Sequence, residues 1–204
     1  MIKAIFFDMG GVLLPLDLHR CVEAYRNVAG FKDIDEYLDP WHQRGFFLDM
    51  EAGRIGMQEF LDLCLTHCPP GTTKDTLVRC HDQFFGTPDP DTVALVKELS
   101  LKYDVYLLSN NNELSMSLHR PNFARAGLPL DSSFKKMFLS HEMHLLKPDP
   151  EIYRRAIAES GCTPGECLFI DDSQKNIDGA LAVGMRAVLL PAGASLRATV
   201  EANL

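Results

Sequence analysis

Four short segments of this chain, three of them apolar runs, each present side chains that can bind or balance a charged ligand. The first, from Lys3 to Phe7, drives straight into Asp8 and then, past Met9, into Gly10 and Gly11. Such a run reads as a buried parallel strand whose carboxyl end meets a tight turn, the place where open α/β sheets bind ligands. The second, Val105 to Leu108, ends in Ser109 and Asn110, which offer a hydroxyl and an amide. The third element is Lys147-Pro148-Asp149-Pro150, where the proline holds the lysine in extended or turn backbone just ahead of an amphipathic helix. The fourth run, Cys167 to Ile170, closes on the paired acids Asp171 and Asp172. Each has an ordinary reading by itself: an acid that starts a turn, a loop serine, a solvated lysine, an acidic helix start. Together they supply a carboxylate at a strand end, hydrogen-bond donors, a fixed positive charge and a pair of acids.

Convergence of Asp8, Asp171 and Asp172 carries an electrostatic cost that points to a metal. Like charges at about 4 Å repel by roughly 4 kcal/mol per pair at an effective dielectric near 20, more than one lysine offsets. A hard divalent cation bound by oxygen resolves the conflict.

These strand ends need a scaffold. Strands are expected at Val105–Leu108, Lys136–Ser140, Glu166–Ile170 and Arg186–Leu190 beside the first, with helices at Pro90–Leu101, Glu113–Ala126, Pro150–Ser160 and Ser173–Val183. Alternating βα units imply an α/β fold, a Rossmann-like parallel sheet with helices on both faces. Between Leu16 and Gly86 the alternation stops, and helices are expected at 17–29, 34–44, 57–68 and 74–85. The expected division is therefore a core of residues 1–15 and 87–204 and a small all-helical unit of residues 16–86, with hinges near 14–16 and 86–89.

The composition fits this picture. A chain of 204 residues with 46% hydrophobic and 24% charged residues is long enough for one well-buried core plus a subdomain. A net charge of −8 with scattered Lys and Arg argues against a nucleic-acid footprint. No apolar stretch approaches the ~20 residues of a membrane span. Six cysteines spread without a Cys-x-x-Cys pair read as reduced, packed thiols, and a cytoplasmic location is expected.

In order and spacing, the four motifs resemble the haloacid dehalogenase superfamily of phosphohydrolases over most of the chain, from Ile2 to about Leu190. The first motif reads Asp-x-Gly, as in the sugar-phosphatase-like branch similar to glucose-1-phosphate phosphatase. The resemblance implies that Asp8 is the nucleophile and forms an aspartyl-phosphate. It implies that Ser109 and the amides around Gly10, Gly11 and Asn110 bind phosphoryl oxygens while Lys147 balances their charge. Mg²⁺ would be held by Asp8, Asp171, Asp172 and the carbonyl of Gly10. Asn176 and Asp178 either orient this loop or are plain polar helix residues. The helical unit would be a cap, with Trp41, Arg44, Phe46, Phe47, Asp49 and Glu51 as candidates to face the substrate.

The expected function is Mg²⁺-dependent hydrolysis of a small phosphomonoester, a sugar phosphate, with no nucleic-acid or membrane partner. The alternatives are a non-catalytic phosphate binder and a 2-haloacid dehalogenase. One position departs from the common family pattern. Gly10 stands where most of these phosphatases carry a second Asp that exchanges protons with the leaving group and water. Candidates to replace it are water, a substrate hydroxyl, Asp17, His19 or His42.

Overall fold

The computed structural model describes residues 1–38 and 43–204. Its centre is a five-stranded sheet, all parallel, in the order β3-β2-β1-β4-β5. The strands are β1 (Ala4–Phe7), β2 (Asp104–Ser109), β3 (Lys136–Leu139), β4 (Cys167–Asp171) and β5 (Arg186–Leu189). Central strands buried on both faces read as continuous apolar runs, and all four residues of β1 are fully buried.

Side chains alternate between the two faces along each strand. Ile5, Phe7, Val105, Leu107, Leu168 and Ile170 point into one core layer, beneath α5 (Pro90–Ser100), α6 (Glu113–Arg125) and α11 (Leu196–Glu201). Phe6, Tyr106, Leu108, Phe138 and Phe169 point into the other, beneath α9 (Pro150–Ser160) and α10 (Gln174–Ala182). The short helices α7 (Leu130–Ser133) and α8 (Ser140–Met143) flank β3.

The chain leaves the sheet after β1 and returns at α5. In between lie α1 (Leu18–Ala24), which continues as a π turn over Tyr25–Ala29, then α2 (Gly45–Glu51), α3 (Met57–Thr66) and α4 (Lys74–Asp82). Their own cluster of Tyr25, Phe31, Phe47, Phe60 and Leu77 packs on Leu114 of α6. The two crossings are tied together: Asp17 N donates to Phe84 O at 2.8 Å and Gly86 N to Pro15 O at 2.9 Å. No strand of the sheet falls within this segment among the described residues, and none of their helices is long and apolar enough to cross a membrane.

One expected element does not form. In place of a helix over 34–44 there is a 3₁₀ turn at Ile34–Glu36 and a bridge between Leu38 and Gln43. A helix does begin nine residues later than that turn's end, at Gly45, and it carries Glu51 at its last position.

Candidate active site at the strand ends

The first, second and fourth motifs sit side by side because β1 is central and pairs with β2 on one side and β4 on the other. Strand order reverses there, and a crevice opens at the carboxyl ends. Asp8 follows the last residue of β1, and its N–H donates to Ile170 O at 2.9 Å, so it stands level with Asp171. Ser109 ends β2.

Lys147 completes the centre. Its Nζ lies 2.9 Å from Asp8 Oδ1 and 2.6 Å from Asp171 Oδ2, and all three side chains are nearly or fully buried. Asp171 is further held by Ser173 N at 2.8 Å and by the Asn176 amide at 3.0 and 3.1 Å. Carboxylate oxygens of Asp8, Asp171 and Asp172 lie within 4.8 Å of one another. One ammonium among three carboxylates leaves an excess of negative charge.

The electrostatics follow from burial. Loss of solvent pushes the Asp8 carboxyl up to about 7, although Lys147 and a hydrogen bond from Ser109 favour its ionised form. Burial works to lower the Lys147 pKa, but Asp171 and Asp8 outweigh it and the net direction is upward. Burial, with Asp171 beside it, also raises Asp172.

A cavity of about 170 Å³ lies over these groups, room for a small molecule. Asp8, Gly10, Ser109, Asn110 and Asp172 form its floor; Gln43, Phe47 and Glu51 reach it from the helical segment. Among the other expected residues the structure is selective. Asn176 binds Asp171, whereas Asp178 accepts from Gln174 at 2.8 Å on the surface. Phe46 packs within the helical segment, and Asp49 pairs with Arg54 at 2.6 Å. Arg44 is exposed and does not line the cavity. Asp17 caps α1 by accepting from Arg20 N at 2.8 Å, and His19 is exposed, so neither faces the cavity. Trp41 and His42 lie outside the described residues.

Glycine is required at position 11 rather than 10. Gly11 has φ +73°, and a Cβ there would stand 2.0 Å from Asp172 Oδ2. Gly10 lies outside the left-handed region, and its Cβ would meet only the Leu16 side chain, at 2.8 Å. Residues that the sequence left unmarked also line the cavity: Gln43, His81, Asn111, Asn112, Ser115 and His119. The run of three asparagines after Ser109 was the available signal for two of them.

A parallel Rossmann-like sheet with an acid-lysine centre at its switch point defines an α/β protein built to hold a small anionic ligand, and comparison with known proteins narrows it. Residues 2–184 match the model of the haloacid dehalogenase-like hydrolases. The chain is 36% identical over 178 residues, 87% of its length and 86% of the relative's, to D-ribitol-5-phosphate phosphatase of Bacteroides thetaiotaomicron. A crystal structure of a family enzyme from the same organism, in complex with magnesium and inorganic phosphate, superposes with a TM-score of 0.88 at 31% identity, covering 96% of this chain and 97% of that one. A predicted hydrolase from Porphyromonas gingivalis gives a TM-score of 0.90 at 32% identity, with 99% and 97% covered. The chain belongs to the haloacid dehalogenase-like hydrolase family, in its sugar-phosphatase-like branch.

Proposed function

We propose that this protein hydrolyses the phosphomonoester of a small polyol or sugar, with Asp8 as the nucleophile and Mg²⁺ as the cofactor. The observation that carries the reading is the Asp8–Lys147–Asp171 bridge at adjacent strand ends, beneath a small cavity. Similarity to a ribitol-phosphate phosphatase supports the substrate class, and the magnesium and phosphate in a structural neighbour support the cofactor and the anion.

Phosphoryl transfer asks a protein chiefly to position groups and neutralise charge. Lys147 places its ammonium where the phosphoryl oxygens gather beside Asp8, and Ser109 with the amides of Gly10, Gly11 and Asn110 donates to them. Asp8 Oδ attacks phosphorus while the ester oxygen leaves, and water then releases phosphate from the aspartyl-phosphate. The donor set of three carboxylates within 4.8 Å is all hard oxygen and fits Mg²⁺. Asp8, Asp171, Asp172 and the Gly10 carbonyl would hold it, and when bound it supplies charge neutralisation at the transferring group. Residues 16–86 act as the cap that closes the cavity and selects the alcohol, and the protein works in the cytoplasm.

The test is a panel of polyol and sugar phosphates, D-ribitol 5-phosphate included, assayed for phosphate release with Mg²⁺ and with excess chelator. Mg²⁺-dependent release is expected. Halide release from 2-haloacids, release that chelation leaves unchanged, or phosphate binding without turnover would each overturn the reading.

A further inference from the structure

Gly10 offers no side chain to carry a proton, yet an alkyl phosphate cannot expel its alcohol readily without one. Among the described residues, the titratable ones lining the cavity are Asp8, Glu51, His81, His119 and Asp172. Asp8 and Asp172 are committed to the nucleophile and the metal. His81 is engaged at both ring nitrogens, by Tyr25 OH at 3.2 Å and Ser115 Oγ at 2.9 Å, and burial lowers it to about 4. His119 is 2% exposed and lowered to about 3, mainly by burial, so it too is neutral at working pH. Glu51 remains.

Its setting suits the task. In an in-line displacement the leaving oxygen lies across phosphorus from the nucleophile, here on the side of the helical segment. Glu51 is the last residue of α2, whose Phe47 and Met50 are buried in that segment's core, so a packed element carries it over the strand ends. The Glu51 carbonyl accepts from Ser140 Oγ at 2.7 Å, and the same hydroxyl accepts from Asn111 N at 2.9 Å, which ties the end of α2 to the loop after β2. Oε1 accepts from the Gln43 amide at 2.9 Å. Oε2 has no hydrogen-bond partner among the described residues.

We propose, resting on the phosphatase reading above, that Glu51 is the proton carrier that replaces the side chain missing at Gly10. In the first half-reaction the bond from phosphorus to the ester oxygen breaks as Asp8 Oδ bonds to phosphorus, and the Glu51 carboxylic acid gives its proton to the departing alkoxide. In the second, the Glu51 carboxylate takes a proton from water, the water oxygen bonds to phosphorus, and the bond to Asp8 breaks. Alcohol and phosphate have left, and both side chains are restored.

The surroundings support cycling between the two forms near neutrality. Burial pushes the Glu51 carboxyl up to about 7; Lys147 opposes this and Asp8 adds to it. Gln43, facing it from the loop before α2, is neutral, as is His81 across the cavity, and Asp172 adds negative charge from the floor. The carbonyl end of α2 also disfavours the carboxylate. A proton carrier works best with a pKa near the working pH.

The experiment compares Glu51→Gln with the parent on a polyol phosphate and on p-nitrophenyl phosphate, whose leaving group needs no proton. Glu51→Gln should lower polyol-phosphate turnover by roughly 10²- to 10⁴-fold. With the aryl ester it should release a burst of p-nitrophenol stoichiometric with enzyme and accumulate an acid-trapped phosphoenzyme, because no base then activates water. Gly10→Asp added to Glu51→Gln should restore turnover, and Glu51→Asp should retain part of it. An unchanged melting temperature separates these effects from misfolding. Equal slowing of both esters, with no burst and no trapped phosphoenzyme, would overturn the proposal and leave Glu51 a positioning residue. A parent inactive on both esters would instead remove the phosphatase reading, and this proposal with it.

Discussion

Asn110 and Lys147 hold one another by two hydrogen bonds: Lys147 N donates to Asn110 Oδ1 at 2.8 Å, and Asn110 Nδ2 donates to Lys147 O at 3.0 Å. The loop after β2 thereby fixes the backbone that carries the ammonium. The Asn110 side chain is spent on positioning, which leaves its main-chain N–H for an anion. Asn110→Ala should lower kcat by roughly 10²-fold, the scale of a 1 Å misplacement, while the sheet stays folded. Stopped-flow phosphate release beside a circular-dichroism melt checks it; a kcat within a few-fold of the parent would remove the positioning role.

Asp8→Asn should abolish turnover, because the amide is a poor nucleophile of similar size. It also removes a buried negative charge beside Asp171, and Lys147 keeps its 2.6 Å partner, so the melting temperature should not fall. Near-parental rates in this variant would end the covalent mechanism.

Lys147→Ala tests the charge balance. It leaves Asp8 and Asp171 buried without their counter-ion, a change that costs roughly 3–5 kcal/mol when one partner of a buried pair is removed. Mg²⁺ should recover part of that loss. Differential scanning calorimetry should therefore find a larger Mg²⁺-induced rise in Tm for the variant than for the parent, and equal rises would mean that cation and lysine do not share these carboxylates.

Stability should fall as the solution is acidified through the histidine range. His81 and His119 are buried and neutral, lowered from 6.5 to about 4 and about 3. The unfolded chain takes up these protons first, so their contribution is complete above about 6.5 and is lost progressively as pH falls toward the folded values. At about pH 5 the two together account for a loss on the order of 4 kcal/mol, at about 1.4 kcal/mol per unit each. Urea unfolding of the parent and of His81→Gln between about pH 7.5 and about pH 4.5 should give a shallower pH slope for the variant. Parallel slopes would show that His81 is not buried neutral.

The convergence of residues at the strand ends was legible because each motif is local: an apolar run names the strand, and the residue after it names what the strand presents. Lys147 was legible through its proline, and the sheet's parallel order through the βα rhythm. The roof of the cavity was not. α2 spans only Gly45–Glu51, too short to display a helical period, and it begins without a side-chain cap. Gln43, Ser115, His81 and His119 reach the site only through packing between α4, α6 and the loop before α2, which no spacing in the chain records. Asn176 and Asp178, two residues apart on α10, looked alike in sequence; helix phase directs one to Asp171 and the other to solvent.

The two glycines after the nucleophile should respond to side chains in opposite ways. At Gly10 the backbone is ordinary, and the only crowding comes from the methyl end of Leu16, a side chain that is 43% exposed and free to swing aside. Gly10→Asp should therefore fold and bind Mg²⁺, and with Glu51 already carrying the proton it should change polyol-phosphate turnover by less than about 10-fold, well below what a first proton carrier is worth. At Gly11 the left-handed φ strains any side chain, and a Cβ at 2.0 Å would push Asp172 out of the acid cluster. Gly11→Ala should lower both Mg²⁺ affinity and turnover, read by titration calorimetry and phosphate release on the same preparation. A Gly11→Ala protein with parental Mg²⁺ affinity would place Asp172 outside the metal shell, and a Gly10→Asp protein far faster than the parent would mean that the site lacks a proton carrier of its own.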